Sequence, residues 1–270
     1  HSLLIFCLQN MSNTQFDFRL SLQNNILTIK KSLEDFLVLD QSLIVILEEG
    51  ISAKLLDTTR NQNIEIEVKK DAFLEYQILN SKNTNRKIKC FGEVRVTEIC
   101  LEASQENLHI ELLKEYANAS VELLSLANQT NLDFIQKIEH KAKETSSNIS
   151  NFGVALNQGE ILFDTSGQIL KGMCKSKCVQ LSKGIVMDDV SSVTSKPILL
   201  IDEYDVVANH GASIGKMSDE SLFYLMSRGL TKQEAFLLIL EGIVHPFIEK
   251  ITDENLKLSV NEKIEQLMKR

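Results

Sequence analysis

The main candidate for a metal-binding side chain is His210, in the tripeptide Asn209-His210-Gly211. An imidazole is a competent ligand for iron and other transition metals. A lone histidine more often forms a hydrogen bond with the backbone of a turn. The sequence predicts a short extended segment from Asp205 that runs into a glycine-rich turn, and it leaves both roles of His210 open.

The segment from Gly211 to Met217 resembles a phosphate-binding loop. Such a loop needs four residues between its glycines and a Ser or Thr after its lysine, which supplies a ligand to Mg²⁺. Here three residues separate Gly211 from Gly215, and Met217 follows Lys216. The segment is therefore predicted to be a turn that enters a helix, in a chain that binds no nucleotide of its own.

Cys174 and Cys178 form the only close pair among five cysteines. A zinc site needs a second pair of ligands, and none follows at a suitable spacing. We predict two unrelated thiols, with Lys175 and Lys177 lowering their pKa. The odd number of cysteines argues against a disulfide framework and favours reduced thiols in the cytoplasm.

Composition restricts the class of partner. The net charge is −8 over 270 residues, whereas nucleic-acid binding usually demands a basic face. The apolar run from Leu3 to Leu8 is too short for a signal-peptide core or a membrane span. We expect a cytoplasmic protein with no nucleic-acid or membrane partner.

Short segments in which polar and apolar residues alternate fill the chain up to about residue 200. Alternation with a period of two predicts half-buried strands. The clearest segments are Phe16–Leu20, Ile64–Val68 and Val94–Ile99, and Asn and Ser clusters separate them. Few amphipathic helices interrupt this region, so a doubly wound sheet is disfavoured. A sandwich and a parallel solenoid both remain open.

Helical signals begin at Ser218, the predicted N-cap of a first helix that ends at Gly229. Thr231 and Glu234 form a predicted capping box for a second helix. An amphipathic terminal helix is predicted over Asp253–Arg270. Its apolar stripe comprises Leu256, Val260, Ile264 and Leu267, and Ser259 with Glu262 is a second candidate capping box.

The region from about residue 130 to 250 resembles the SufB/SufD family, the scaffold proteins of the SUF system for iron–sulfur cluster assembly. The motifs that carry the resemblance are Lys196-Pro197-x-Leu199, Asp205-Val206, His210-Gly211-Ala212, Gly215, Leu222-Phe223-Tyr224-Leu225, Ser227-Arg228-Gly229 and Glu241-Gly242. The resemblance implies a mainly β fold: a right-handed parallel β-helix core followed by a C-terminal α-helical domain. We therefore expect a leader over residues 1–15, the β-helix over 16–216 and the helical domain over 217–270. Strand-like segments begin almost at once, so the family's N-terminal helical domain is expected to be missing or much reduced.

Two departures assign the subfamily. SufB-type proteins have a glutamate where this chain has Gly211, and a cysteine where it has Leu181. The chain is therefore similar to SufD, and it is not expected to accept sulfur at that position. The resemblance implies that His210 serves cluster assembly at a SufB–SufD interface, and it makes His210 a candidate metal ligand for a transient iron–sulfur cluster.

The function implied is that of a non-catalytic scaffold subunit. It would pair with a SufB-like protein or with itself as a homodimer, and its C-terminal helices would dock a SufC-like ABC-type ATPase. The expected ATPase-binding residues are Phe223, Leu225, Phe236, Leu237, Leu240 and Ile243. Two alternatives remain: a β-helix enzyme acting on polysaccharides, and an adaptor that has kept the fold without a cluster role. The absence of Trp and the presence of only four Tyr disfavour sugar binding.

Overall fold

The computed structural model describes residues 20–79, 81–251 and 254–268. In the last segment, the side chains of residues 255, 256, 259, 267 and 268 are outside this description. The predicted strand at Phe16–Leu20 lies outside it except for Leu20. The roles predicted for Leu256, Leu267 and Ser259 also fall outside it.

Strands of the described part of the chain alternate between two sheets. The first sheet contains nine strands: β1 Leu20–Gln23, β2 Ile26–Ile29, β4 Leu43–Leu47, β6 Asn63–Val68, β8 Asn85–Cys90, β10 Ser104–Leu112, β12 Asn131–His140, β14 Glu160–Ile169 and β16 Ser192–Ile201. The second contains eight: β3 Phe36–Leu39, β5 Ser52–Asp57, β7 Phe73–Leu79, β9 Glu93–Cys100, β11 Asn118–Asn128, β13 Ser146–Leu156, β15 Lys177–Val186 and β17 Val207–Lys216. From β2 onward, each even strand and the odd strand that follows it form one rung.

The core is a parallel β-helix, as the resemblance implies. Within each sheet the strands of successive rungs pair in parallel and in register, and the only antiparallel pair among the described strands is β1 with β2. This arrangement rules out the antiparallel sandwich. The inward-facing side chains of both sheets form the core, with Leu27, Leu55, Tyr76 and Val121 fully buried.

Asparagines occupy many of the corners between strands. Asn24 and Asn25 have φ values of 49° and 62° and form the tight turn of the β1–β2 hairpin. Asn61, Asn83 and Asn157 also have positive φ at corners of the solenoid. Asn tolerates the left-handed conformation better than most residues, which explains why Asn clusters mark the strand ends.

Three helices follow the strands in the described region: α1 Asp219–Ser227, α2 Lys232–Ile248 and α3 Glu254–Met268. The caps confirm the predictions. The Ser218 side chain accepts a hydrogen bond from the Ser221 amide, and Thr231 with Glu234 forms a complete capping box. Gly229 follows α1 with a φ of 101°. None of the described helices is long and apolar enough to cross a membrane.

The helices α2 and α3 pack on the outer face of the second sheet. Leu240, Val244 and Ile264 lie in one apolar cluster with the outward-facing strand residues Leu79 and Ile99. The Gln77 side-chain amide, on the same face, donates a 2.8 Å hydrogen bond to the Lys250 carbonyl oxygen. These helices therefore cover the side of the solenoid along several rungs.

Candidate functional site

The candidate ligand His210 lies within the last strand. β17 is continuous, and it pairs in parallel with β15 so that His210 is opposite Gln180. Neither Gly211 nor Gly215 has a positive φ, so the predicted glycine-rich turn is wrong. The neighbouring strand β15 offers a complete row of backbone partners, and glycine adopts the extended conformation freely.

The two faces of β15 and β17 have different roles. Gln180 is 1% exposed and points into the solenoid, whereas Leu181 is 52% exposed and points outward. Because in-register parallel strands share one pleat, His210 is on the inner face with Gln180. Gly211 is on the outer face, where a Cβ atom would lie 3.2 Å from Leu181 Cδ2. Leu181 and Gly211, the two positions at which the chain differs from SufB-type proteins, are thus neighbours on the opposite face from His210.

His210 is exposed because β17 is an edge strand. β16 and β17 end their sheets, and no described strand lies beyond them. Four apolar side chains near this end of the solenoid are also exposed: Ile198, Leu200, Val207 and Ile214. The end therefore combines unpaired backbone groups with an accessible imidazole and apolar surface.

Lys216 has no phosphate-loop geometry around it. It is the last residue of β17, and its ammonium group forms an ion pair with the carboxylate of Asp189. Met217 is buried at the junction between the strand and α1. The segment that resembles a phosphate-binding loop is therefore part of a strand, and the expectation that the chain binds no nucleotide stays a prediction.

The two cysteines of the close pair differ in burial, since Cys178 is buried and Cys174 is only partly buried. Cys90, Cys100, Cys174 and Cys178 are free thiols. Burial raises the pKa of Cys178, which corrects the prediction that neighbouring lysines lower it. The physical reason is the pleat: Cys178 points inward, whereas the adjacent Lys177 is exposed.

His140 is a buried imidazole in the core, and the sequence analysis did not identify it as a candidate site residue. His140 Nε2 lies 2.8 Å from Ser147 Oγ, and Nδ1 lies 2.8 Å from Thr145 Oγ1. Thr145 Oγ1 is in turn 3.0 Å from Ser176 Oγ. Burial lowers the pKa of His140 to about 4, so the ring is neutral at physiological pH. The hydroxyls satisfy both ring nitrogens, and this leaves no lone pair directed at a ligand.

A charged network also lies inside the solenoid, and the sequence analysis missed it. Arg86 Nε donates a 2.7 Å hydrogen bond to Asp57 Oδ2, and Arg86 Nη1 contacts Glu106 Oε2. The Tyr76 hydroxyl donates to Asp57. All four side chains are at most 3% exposed. Arg86 stands at an inward-facing position between Asn85 and Lys87, and a buried arginine in such a polar segment has no distinct sequence signal.

Glu98 lies beside this network. Burial, followed by the nearby Glu106 carboxylate, raises the pKa of Glu98 to about 8. The carboxylic acid is therefore mainly protonated near neutral pH. Its Oε1 atom is buried and has no hydrogen-bond partner.

Ligand atoms of His109, Glu111 and Glu139 lie within 4.8 Å of one another on the outer face of the first sheet. Ammonium groups already occupy this cluster. Lys141 bridges both carboxylates, and Lys137 binds Glu139. These hydrogen bonds lower the pKa of Glu139 to about 2 against the effect of its partial burial. Neither a metal site nor a glycosidase-type general acid is favoured here.

The residues predicted to bind an ATPase occupy different environments. Phe223 is 74% exposed on α1, which has no buried residue. Leu225 is half-buried. Phe236, Leu237 and Ile243 are partly buried against the cluster that joins α2 to the sheet. Leu240 is fully buried in that cluster, so it has no surface to offer a partner while α2 remains docked.

Residues 34–243 match the family model described as "SUF system FeS cluster assembly, SufBD core domain". The chain is 32% identical to the iron–sulfur cluster assembly protein SufD of Bacillus subtilis over 154 residues, which cover 57% of this chain and 35% of that protein. It is 30% identical to the SufBD family protein ML0593 of Mycobacterium leprae over 233 residues, covering 82% of this chain and 27% of that protein. It is 29% identical to SufD of Escherichia coli over 129 residues, which cover 48% of this chain and 30% of that protein. The matched regions thus span about a third or less of these relatives.

Proposed function

The chain belongs to the SufBD core family of the SUF system, and we propose that it serves as a SufD-like scaffold subunit in iron–sulfur cluster assembly. The observation that carries the proposal is the family match, which covers the β-helix from β3 onward together with α1 and most of α2. This chain has Gly211 where SufB-type proteins have a glutamate, and Leu181 where they have a cysteine. Both differences support the SufD-like assignment within the family.

The role we propose is non-catalytic. The carboxylates of Glu111 and Glu139 on the outer face of the first sheet form ion pairs with lysines, which disfavours them as general acids. Lys216, at the end of β17, forms an ion pair with Asp189. The free thiols support a reducing compartment such as the cytoplasm. We assign the iron–sulfur cluster as transient cargo, with ATP hydrolysis supplied by a partner.

The open end of the solenoid is the surface we assign to a SufB-like protein or to a second copy of this chain. The edge strands β16 and β17 present unpaired backbone groups, and a strand from another chain can extend such a sheet. Ile198, Leu200 and Val207 supply exposed apolar area close to these edges. Pairing at this end would place His210 at the interface and bring it close to residues of the partner.

The surface we assign to a SufC-like ABC-type ATPase centres on α1. Phe223, Tyr224 and Met226 are 74%, 56% and 44% exposed, although all three have large apolar side chains. Exposed apolar patches of this kind mark protein interfaces. α1 contacts α2, so a partner bound there would lie next to the helices docked on the β-helix.

The proposal is tested by co-purification followed by cluster reconstitution. The tagged chain is co-expressed with the SufB-like protein and the ABC-type ATPase of its own organism. We expect a stable complex that forms an iron–sulfur cluster, seen as visible absorbance after addition of iron and a sulfur donor. Failure to retain either partner would contradict the scaffold role. An isolated chain that cleaves polysaccharides would instead favour the enzyme alternative.

A matched pair of variants locates the ATPase surface. Phe223→Glu places a charge on α1, and Tyr116→Glu places one on a similarly exposed aromatic residue between β10 and β11. Only Phe223→Glu should reduce recovery of the ATPase. Equal recovery from both variants would remove α1 from the interface.

A further inference from the structure

Buried polar atoms without a protein partner concentrate inside the C-terminal part of the β-helix. Among the described residues, five such atoms are Gln136 Nε2, Asn151 Oδ1, Thr165 Oγ1, Gln180 Oε1 and Ser195 Oγ. They belong to the rungs β12–β13, β14–β15 and β16–β17, which are consecutive. Buried polar groups in native proteins are nearly always hydrogen-bonded, so a group of five requires a physical explanation.

Register places these side chains in adjoining columns. On the first sheet, Gln136 lies opposite Thr165. On the second, Gln180 lies opposite His210 at the open end. Asn151 Nδ2 donates a 2.8 Å hydrogen bond to Gln136 Oε1 and so joins the two sheets across the interior. Ile149 lies directly beneath Gln180, and Asn151 lies beneath Ser182 in the adjoining column. Strands of neighbouring rungs are about 4.8 Å apart, so the five side chains together reach roughly 10 Å inward from the rung of His210.

The missing side chain of Gly167 leaves room for the side chains of Cys178 and Gln180. A Cβ atom at Gly167 would lie 2.4 Å from Cys178 Sγ and 2.9 Å from Gln180 Nε2. The side chains of Cys178 and Gln180 thus project across the interior towards the first sheet. Apolar side chains of the next rung lie beneath the inner end of the column, where Leu123 is in register with Asn151 and Leu108 with Gln136.

The chemistry of the column identifies its ligand. All five unpaired atoms are uncharged amide or hydroxyl groups, and they include donors as well as acceptors. A dehydrated ion would find no opposite charge among them, which makes its burial costly. Water satisfies donors and acceptors together and typically makes about three hydrogen bonds in such sites.

We propose that the last three rungs of the β-helix form a polar well beneath His210 that holds ordered water molecules. The well supplies hydrogen-bond partners to Thr165, Gln180, Asn151, Gln136 and Ser195. It also supplies solvent to the inner side of the His210 imidazole. One consequence rests on the proposed function. A partner that covers the open end would enclose the well at the interface, and the inner side of the His210 imidazole would then still contact water.

Thr165→Val tests the proposal because valine has the shape of threonine without the hydroxyl. If water fills the well, the variant removes a partner of that water, and the melting temperature should fall by roughly 2–4 °C. If the site is dry, the same variant removes an unpaired buried hydroxyl, and the melting temperature should rise. Thr194→Val on the exposed face of β16 is the control for the strand preference of valine, and it should change little.

A high-resolution crystal structure of the chain provides a second measurement. We expect ordered water within hydrogen-bond distance of Thr165 Oγ1 and Gln180 Oε1. A dry interior, direct pairing of these side chains with each other, or a rise in melting temperature for Thr165→Val would overturn the proposal. Both measurements use the chain alone, so they are independent of whether it assembles clusters.

Discussion

His210 and Gln180 are in-register neighbours on the last two strands of the second sheet, and both are on its inner face. Gln180 is buried because β17 lies over it, whereas His210 is exposed because no described strand lies over β17. The residue with the most direct ligand chemistry is thus at the point where the interior of the solenoid meets solvent.

Substitution of His210 should separate function from stability. His210→Ala removes an exposed side chain from an edge strand, so the melting temperature and complex formation should change little. Cluster absorbance in the reconstituted complex should fall if the imidazole takes part in assembly. Asn209→Ala, on the opposite face of the same strand, is the matched control and should retain full absorbance. Unchanged absorbance in His210→Ala would exclude the role.

Glu98 should make stability depend on pH. The folded chain raises the pKa of this carboxyl from 4.5 to about 8, next to Glu106, Arg86 and Asp57, so the native state binds the proton more tightly than the unfolded chain. The stabilisation is fully present below pH 4.5 and is lost as the pH rises through about 8. We expect the free energy of unfolding in urea to fall by on the order of 2 kcal/mol between about pH 6 and pH 9.

Glu98→Gln supplies the control for this pH dependence, because it keeps a neutral side chain of the same size at every pH. The difference in unfolding free energy between the two proteins should therefore change across the same pH range. Parallel pH profiles for the wild-type chain and Glu98→Gln would contradict the assignment.

Arg86 should be essential to the interior network. Arg86→Met leaves the Asp57 and Glu106 carboxylates buried without their cation, which typically costs about 3–5 kcal/mol. Arg95→Met is the control, because Arg95 is exposed and pairs only loosely with Glu93 at 3.6 Å. Chemical denaturation of both variants measures the difference, and similar small losses would show that the network contributes little.

The two faces of the helical region should respond differently to charge. Phe223→Asp should weaken ATPase binding with little change in melting temperature, because Phe223 is 74% exposed. Leu240→Asp should lower the melting temperature strongly, because Leu240 is fully buried between α2 and the sheet. Binding and thermal unfolding measured on both variants test this contrast. A destabilised Phe223→Asp would show that α1 packs more tightly than the structure indicates.

The packing of the helices also decides what a truncation would do. Deletion of residues 218–270 removes the cover over outward-facing apolar residues such as Leu79, Ile99 and Leu124. The truncated chain should therefore aggregate, and this effect would obscure any loss of ATPase binding. Point substitutions on α1 are the more informative test.

The sequence by itself determined clearly alternating strands such as β6 and β9, the Asn-rich corners between strands and the helix caps. These features depend on local rules: the two-residue period of half-buried strands, the tolerance of Asn for positive φ, and the capping chemistry of Ser218 and Thr231. The parallel β-helix came from the family resemblance, since alternation alone did not separate it from a sandwich.

Tertiary structure alone decided which polar residues face inward. Alternation assigns polar side chains to the solvent side, so Arg86, Gln136 and Gln180 carry no local sign of burial. Their environment depends on rungs above and below them, which are 20 or more residues away in sequence. Non-local pairing also explains why the segment around His210 is a strand and not the predicted turn. Its backbone partners lie on β15, which is next to it only in the folded solenoid.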